Sequence, residues 1–361
     1  ETAEDALWAW APGMHVRGPA GSAWQPLELR VQDAPRFKWR GLMLDTARHY
    51  MPPEAIEQVL SLMAANKLNV LHIHLVDAVS FPLELESLPH LARKGAFSPD
   101  KTYSRAQVRR IVEYASLLSI RVVPELDMPA HTASWIYGEP EAVANCTHVL
   151  PSDPNDAKNP FKVRDKLALD VSGKRALEVA SSALKDLAKL FPDEFVHVGG
   201  DEMDFRCWTT TPHILSWLQR KRLSPTQALQ RFYDGIFKTL RKLQRRPIVW
   251  QDALEQGLRL PEDGLVQPWH CWGTHGPGIR GWPKGEPATS AGHFVGYVAA
   301  SMGLGVVQST CWYLDWDSQW LDFYEHAADE SPLRSPAVHV DGTLLGGEAA
   351  LWSERIDFTN L

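Results

Sequence analysis

From about Phe37 to the last residue, short apolar runs alternate with segments of helical period, and this alternation constrains the chain more than any other feature. A strand followed by a crossover helix returns parallel to its predecessor, so the repeated pattern predicts a parallel sheet rather than a sandwich or a bundle. Candidate strands are read at residues 39–44, 69–75, 121–126, 194–198, 247–250, 265–268, 305–309 and 344–346. Helices are expected at 53–66, 104–118, 173–190, 225–244, 290–302 and 318–328, with Ser104 and Ser224-Pro225 as starts. Eight strands in this order predict an α/β chain closed as a (β/α)8 barrel rather than a doubly wound sheet. With 361 residues and 44% apolar side chains, one such domain can bury its core. The expected division is 1–34, an N-terminal segment without an assigned role, and 35–361, the barrel.

A net charge of -7 and the lack of any long basic run argue against nucleic acid or an anionic membrane surface as partners. No stretch reaches the eighteen or so apolar residues of a membrane span, and Glu1 onward lacks the pattern of a signal peptide, so a soluble, mature form is expected. Trp is over-represented at 15 residues; its flat face stacks on the C–H faces of sugars as readily as it packs a core. Cys146, Cys207, Cys271 and Cys311 show no C-x-x-C spacing, which argues against a zinc or thioredoxin-type site and leaves a disulfide open. Asn145-Cys146-Thr147 is a sequon that only a eukaryotic secretory pathway would use.

Barrel enzymes carry their chemistry at the carboxyl ends of the strands, and the polar clusters here fall at those ends. Asp77 follows the second strand, Glu125 to His131 the third and Asp201-Glu202 the fourth. Trp250 ends the fifth, Trp269 the sixth, Tyr313 and Asp315 follow the seventh, and Trp352 and Glu354 the eighth. The central motif is His197-Val198-Gly199-Gly200-Asp201-Glu202. Two glycines let the backbone turn sharply and present adjacent carboxylates at the mouth. Two neighbouring acids in a partly dry site cannot both ionise easily, so one should hold its proton near neutral pH. In isolation such a motif reads more readily as a Gly-rich turn with two solvated acids; its context here reverses that preference. Two-carboxylate glycosidases set their acids on different strands, roughly 5–10 Å apart. Adjacent acids fit a scheme in which the substrate's own 2-acetamido oxygen attacks the anomeric carbon.

With these motifs the chain resembles the family 20 glycoside hydrolases, the β-N-acetylhexosaminidases related to the lysosomal β-hexosaminidases. The resemblance rests on residues 35–45 with Arg48-His49-Tyr50, on 69–77 with Ser80-Phe81-Pro82, and on 124–131. It continues through 249–252, 311–315, Gly346-Gly347-Glu348-Ala349 and Leu351-Trp352-Ser353-Glu354. What it implies is an exo-acting, retaining β-N-acetylhexosaminidase that needs no cofactor or metal and removes terminal β-linked GlcNAc or GalNAc from glycans or chito-oligosaccharides. By resemblance Glu202 is the acid, Asp201 and Tyr313 hold the acetamide, and Asp77 and His131 form a relay behind Glu202. Trp250, Trp269 and Trp352 wall the pocket, Arg40 and Glu354 bind the 3- and 4-hydroxyls, and Asp315 binds the 6-hydroxyl. An acid at 315 implies a preference for an unsulfated 6-hydroxyl.

The chain departs from the family pattern at Ala78, Ala130 and Asp252, where the family usually has Asp, Gly and Glu. It is also too short at the front for the family's N-terminal α+β domain, and it stops where a last barrel helix should follow. The expectation is that a second chain or fragment completes the barrel, with a dimer contact as the alternative cover for the gap. The resemblance pairs Cys146 with Cys207, which with the sequon implies a lysosomal or secreted setting; Cys271 and Cys311 are expected to be buried thiols. The competing readings are a catalytically silent sugar-binding barrel and a same-family glycosidase of different exo-specificity.

Overall fold

The computed structural model describes residues 32–149, 167–271, 289–325 and 343–361, with the short pieces 15–16, 25–26, 158 and 274–275. The chain divides into two units, Glu1–Lys38 and Trp39–Leu361, the boundary falling where the first barrel strand begins. Most of the expected 1–34 segment lies outside the described residues; within it His15–Val16 pairs antiparallel with Gln25–Pro26.

The second unit is a closed barrel. Its strands are β1 Trp39–Asp45, β2 Val70–His74, β3 Arg121–Glu125, β4 Phe195–His197, β5 Arg246–Trp250, β6 Leu265–Gln267, β7 Gly305–Gln308 and β8 Leu344–Leu351. Each pairs in parallel with the next, and β8 closes on β1. The crossover helices are α1 Pro53–Ala65, α2 Arg105–Leu117, α3 Arg175–Leu190, α4 Pro225–Lys242, α5 Ala291–Ser301 and α6 Trp320–Glu325. Residues 326–328 of the last expected helix fall outside the described set. Ser104 and Ser224 start α2 and α4 with full capping boxes, each hydroxyl accepting from the N–H of the glutamine three residues on while that amide returns to the cap.

β8 is longer than the 344–346 expected from sequence. A Cβ at Gly347 would run into the Trp312 ring, so the glycine makes room for a close side chain inside a strand. Two core layers position the site. Outside the sheet, a large apolar cluster joins the strands to the helices, with Leu60, Leu71, Leu184, Ile236 and Val249 among its members. Inside, Trp39, Val70, Val123, Phe195, Ile248, Leu265 and Val307 form a separate floor at the amino-terminal end of the strands. Above the floor the lining turns polar, with His72, Glu125, His197, Gln267 and Glu348 all buried.

Both pairs of cysteines are disulfides: Cys146–Cys207, as the resemblance implied, and Cys271–Cys311. The second corrects the expectation of buried thiols. β6 and β7 are neighbours, so the loops leaving their carboxyl ends run side by side and bring the two Cα atoms to 4.6 Å. Both residues are half-buried.

Candidate active site

The chain leaving β4 turns through Gly199 (φ 66°) and Gly200 (φ 104°), both in the left-handed region that favours glycine. A side chain at Gly199 would collide with the Asp127 carboxylate, and Gly200 N–H donates to Asp127 Oδ1 at 3.3 Å. The turn is therefore pinned to the loop after β3. It delivers Asp201, 7% exposed, and Glu202, whose side chain is 55% exposed. Glu202 itself is left-handed (φ 48°), as is His131 (φ 55°). Non-glycine residues held there cost about 1–3 kcal/mol and gather where function demands the geometry.

His131 stands behind both acids. Its Nε2 lies 3.5 Å from Asp201 Oδ2 and 3.4 Å from Glu202 Oε2, and its Nδ1 lies 3.5 Å from Asp77 Oδ2. These are longer than ordinary hydrogen bonds, as ligand-free acid–base sites often are. Asp77 Oδ2 also receives Arg48 Nη2 at 2.8 Å and His74 Nε2 at 3.0 Å. Burial pushes the Asp77 carboxyl up, but Arg48, His131 and His74 outweigh it and hold it well below the usual carboxylate range. Burial lowers His131, and Asp77 with Asp201 more than reverse this, so its imidazole stays protonated well above its ordinary range. Of the two adjacent acids, Asp201 is pushed up to about 7 by burial and by Asp252, Glu125 and Glu202, against the pull of His131.

Aromatic rings surround this file. Trp250, ending β5, is 1% exposed, and its Nε1 donates to Glu125 Oε1 at 2.7 Å. Its ring centre is 5.9 Å from that of Trp352, which lies under the Arg48 guanidinium at 4.8 Å. Tyr313 donates its hydroxyl to the Trp269 carbonyl at 3.0 Å and stacks on Trp316 at 4.4 Å. Asp315 accepts from Trp352 N–H at 3.4 Å, and Glu354 Oε1 is 4.0 Å from Arg48 Nε. Asp252 joins two parts of the mouth: Oδ1 accepts from Glu202 N–H at 3.2 Å, and Oδ2 from Trp269 Nε1 at 2.7 Å.

Arg40 is a correction. It is the second residue of β1, and its Nε donates to the Lys67 carbonyl at 2.7 Å in the turn leading from α1 into β2. That turn is at the amino-terminal end of the barrel, opposite the mouth. Arg48 follows the carboxyl end of the same strand and takes the place at the site, between Asp45, Asp77 and Glu354. The structure thus brings together Asp77, His131, Asp201 and Glu202, and sets Trp250, Trp269, Tyr313, Asp315, Trp352 and Glu354 around them. Sequence reading passed over Arg48, His74, Glu125, Asp127 and Asp252 as functional residues. A signal was there: His72, His74 and Glu125 interrupt strands whose inward positions in a barrel are ordinarily branched apolar residues.

Three sets, His72 with Glu125 and His197, His74 with Asp77 and Asp127, and Asp127 with His131 and Asp201, bring possible metal-ligand atoms within 4.8 Å of one another. Both ring nitrogens of His72 face carboxylates, as do both of His74 and both of His131. Donor sets of this kind suit shared protons better than a cation.

Residues 37–361 match the model of glycosyl hydrolase family 20, catalytic domain. The chain is 34% identical over 341 residues to beta-hexosaminidase subunit A1 of Dictyostelium discoideum, covering 91% of this chain and 57% of that protein. It is 33% identical over 337 residues to human beta-hexosaminidase subunit beta, covering 92% of this chain and 55% of that one. The chain therefore spans little more than half the length of these relatives. Among solved structures, a chitobiase of Flavobacterium johnsoniae superposes with a TM-score of 0.73 at 27% identity, over 90% of this chain and 45% of that one. An exo beta-N-acetylglucosaminidase of Vibrio harveyi shares the fold, with a TM-score of 0.71 at 23% identity over 90% of this chain and 52% of its own.

Proposed function

The chain belongs to glycosyl hydrolase family 20, and on that premise we propose that it is an exo-acting β-N-acetylhexosaminidase that works with retention through the substrate's 2-acetamido group. The observation that carries this reading is the convergence of Asp201 and Glu202 on one imidazole nitrogen, at 3.5 and 3.4 Å. Acids that act as an acid and a nucleophile flank the scissile bond from opposite sides; two acids crowded on one nitrogen leave the second face to the substrate itself. Glu202, exposed at the mouth, protonates the leaving oxygen and later takes a proton from water. Asp201 Oδ1 is buried without a hydrogen-bond partner among the described residues and is the acceptor for the acetamide N–H. Tyr313 turns its hydroxyl from the Trp269 carbonyl to the acetamide oxygen as charge develops there. Trp250, Trp269 and Trp352 form the walls, and Arg48 with Glu354, rather than Arg40, engages the ring hydroxyls.

Asp315, half-buried and pushed up by burial with Glu354 and Asp45 nearby, faces the 6-hydroxyl side and disfavours a sulfate there. Faster turnover of a 6-sulfated than of an unsulfated glycoside would contradict that assignment. Two disulfides accord with an oxidising, lysosomal or secreted setting; no helix of the described residues is long and apolar enough to cross a membrane. The decisive experiment is hydrolysis of a chromogenic β-N-acetylglucosaminide by wild type and Glu202→Gln across pH 4–7. Turnover by wild type with a loss of roughly a hundredfold or more in the variant supports the reading. Binding of N-acetylglucosamine with no wild-type turnover replaces it with a silent sugar-binding barrel.

A further inference from the structure

Below the mouth, carboxylates and imidazoles alternate down the barrel axis. Asp77 faces His74 Nε2 at 3.0 Å; His74 Nδ1 is 2.5 Å from Glu125 Oε2, which lies 3.0 Å from His72 Nε2; His72 Nδ1 is 2.7 Å from Glu348. Glu125 is fully buried on β3, and its other oxygen takes the indole N–H of Trp250 at 2.7 Å. His197 Nδ1 is 3.1 Å from that same oxygen but accepts from Gly199 N–H at 3.1 Å, so it offers Glu125 no proton there. His74 has a carboxylate on each ring nitrogen, and it can donate to both only as an imidazolium. A buried ion file adds little net stability compared with apolar packing of equal volume. Its two ends are what matter, since the same carboxylate reaches the wall of the pocket and the residue behind Asp77.

We propose that Glu125 is a positioning residue of the reaction, one buried carboxylate that keeps His74 charged behind Asp77 and His131 while fixing the Trp250 ring in the pocket wall. The assignment of a reaction rests on the hexosaminidase reading above; the state of His74 does not. The groups facing His74 are Glu125 from β3, Asp77 from the loop after β2, Asp127 from the loop after β3, Arg48 from the loop after β1 and His72 on its own strand, with the Trp352 ring at 5.2 Å. Glu125 is the nearest anion. Without it, Arg48 and burial both favour the neutral ring, and His74 titrates inside the working range; burial lowers and Glu125 with Asp77 raise it in the intact protein, with the raising effects ahead.

The test is Glu125→Gln in the 361-residue chain, read by ¹⁵N NMR of the histidine rings and by the pH profile of kcat on the chromogenic glycoside. In wild type the His74 ring is expected to stay doubly protonated from pH 5 to 8, and in the variant to lose a proton within that window. The variant's kcat falls about tenfold or more at pH 7 and less at pH 5, so its alkaline limb moves to lower pH. A uniform loss across pH with an unshifted limb would mean that Glu125 only supports the fold, and the proposal would fall. A neutral His74 in wild type at pH 7 overturns it as well, and this needs no variant to fold. Wild type inert on every glycoside but with a charged His74 would sink the proposed reaction and leave the ion file standing.

Discussion

On five of the strands two residues separate the floor of the barrel from the polar layer above it: Val70 from His72, Val123 from Glu125, Phe195 from His197, Ile248 from Trp250, Leu265 from Gln267. The floor is held mainly by burial, about 1.5–3 kcal/mol for each large apolar side chain removed from water, with the Trp39 indole reaching up to Glu348. In the layer above, the same inward positions carry groups whose burial is costly unless every lone pair and proton is matched. The matching is close to complete at Glu348, where Oε1 meets His72 at 2.7 Å and Gln267 at 2.8 Å while Oε2 meets the Trp39 indole at 2.9 Å. Gly41 makes this possible, because a Cβ there would occupy the space of the Glu348 carboxylate. One layer is indifferent to pH, and the other is held together by protons.

Glu348→Ala gives the largest expected effect. It removes the acceptor facing His72 Nδ1 and the Trp39 indole and one of the two that Gln267 Nε2 reaches, and should cost about 3–5 kcal/mol at pH 6, read from a shifted denaturant midpoint at unchanged slope. Burial lowers His72, but Glu348 and Glu125 raise it to about 9. A group raised on folding stabilises fully below its ordinary value, about 6.5, and loses that contribution as pH rises through the folded value. The cost of Glu348→Ala should therefore shrink at pH 9.5; an equal cost at both pH values would mean that His72 is neutral. Ile248→Ala in the floor comes next, at about 2–4 kcal/mol from the cavity it leaves. That figure should be the same at pH 6 and 9.5, and a matching pH dependence would erase the distinction between the layers.

Two arginines at opposite ends of β1 extend the contrast to activity. Arg48→Ala should lower kcat/KM roughly a hundredfold, about 2.7 kcal/mol, whereas Arg40→Ala should change it by less than about twofold. Similar losses from both would undo the placement of Arg40 away from the mouth. The smallest effect is on wild type itself. Its melting temperature should fall by a few degrees between pH 6.5 and 9, as the unfolded chain gives up protons that His72 and His74 still hold when folded. It should fall again below about pH 4, because Glu125, raised by burial but brought well below its ordinary range chiefly by His74, with His72 on the same oxygen, stabilises above the unfolded carboxylate value and stops doing so as it protonates. A melting curve flat from pH 3 to 9 would place the ion file outside the energetics of folding.

The barrel was legible because its strands are buried on both faces and so read as apolar runs; β2, Val70–His74, is buried at every residue. The central turn was legible too, since Gly199-Gly200 before two acids has a backbone reason to be there. Arg40 misled because a strand points its two ends at opposite faces of a barrel, and proximity in a motif says nothing about which end a side chain serves. Cys271–Cys311 escaped because the pairing depends on β6 lying beside β7, a fact of closure rather than of local spacing. Glu125 and Glu348 read as members of motifs, whereas their roles depend on partners contributed by three or more other strands.

Asp252 carries a consequence for how the pocket's dimensions are set. One carboxylate fixes both the backbone of the acid, through Glu202 N–H at 3.2 Å, and the Trp269 ring, at 2.7 Å. The acid and its facing wall are thus measured from a common datum, and the length of a single side chain is the gauge. Lengthening it by one methylene, as in Asp252→Glu, would displace both together and reset the clearance between proton donor and sugar platform in one step, where changing either alone would put them out of register.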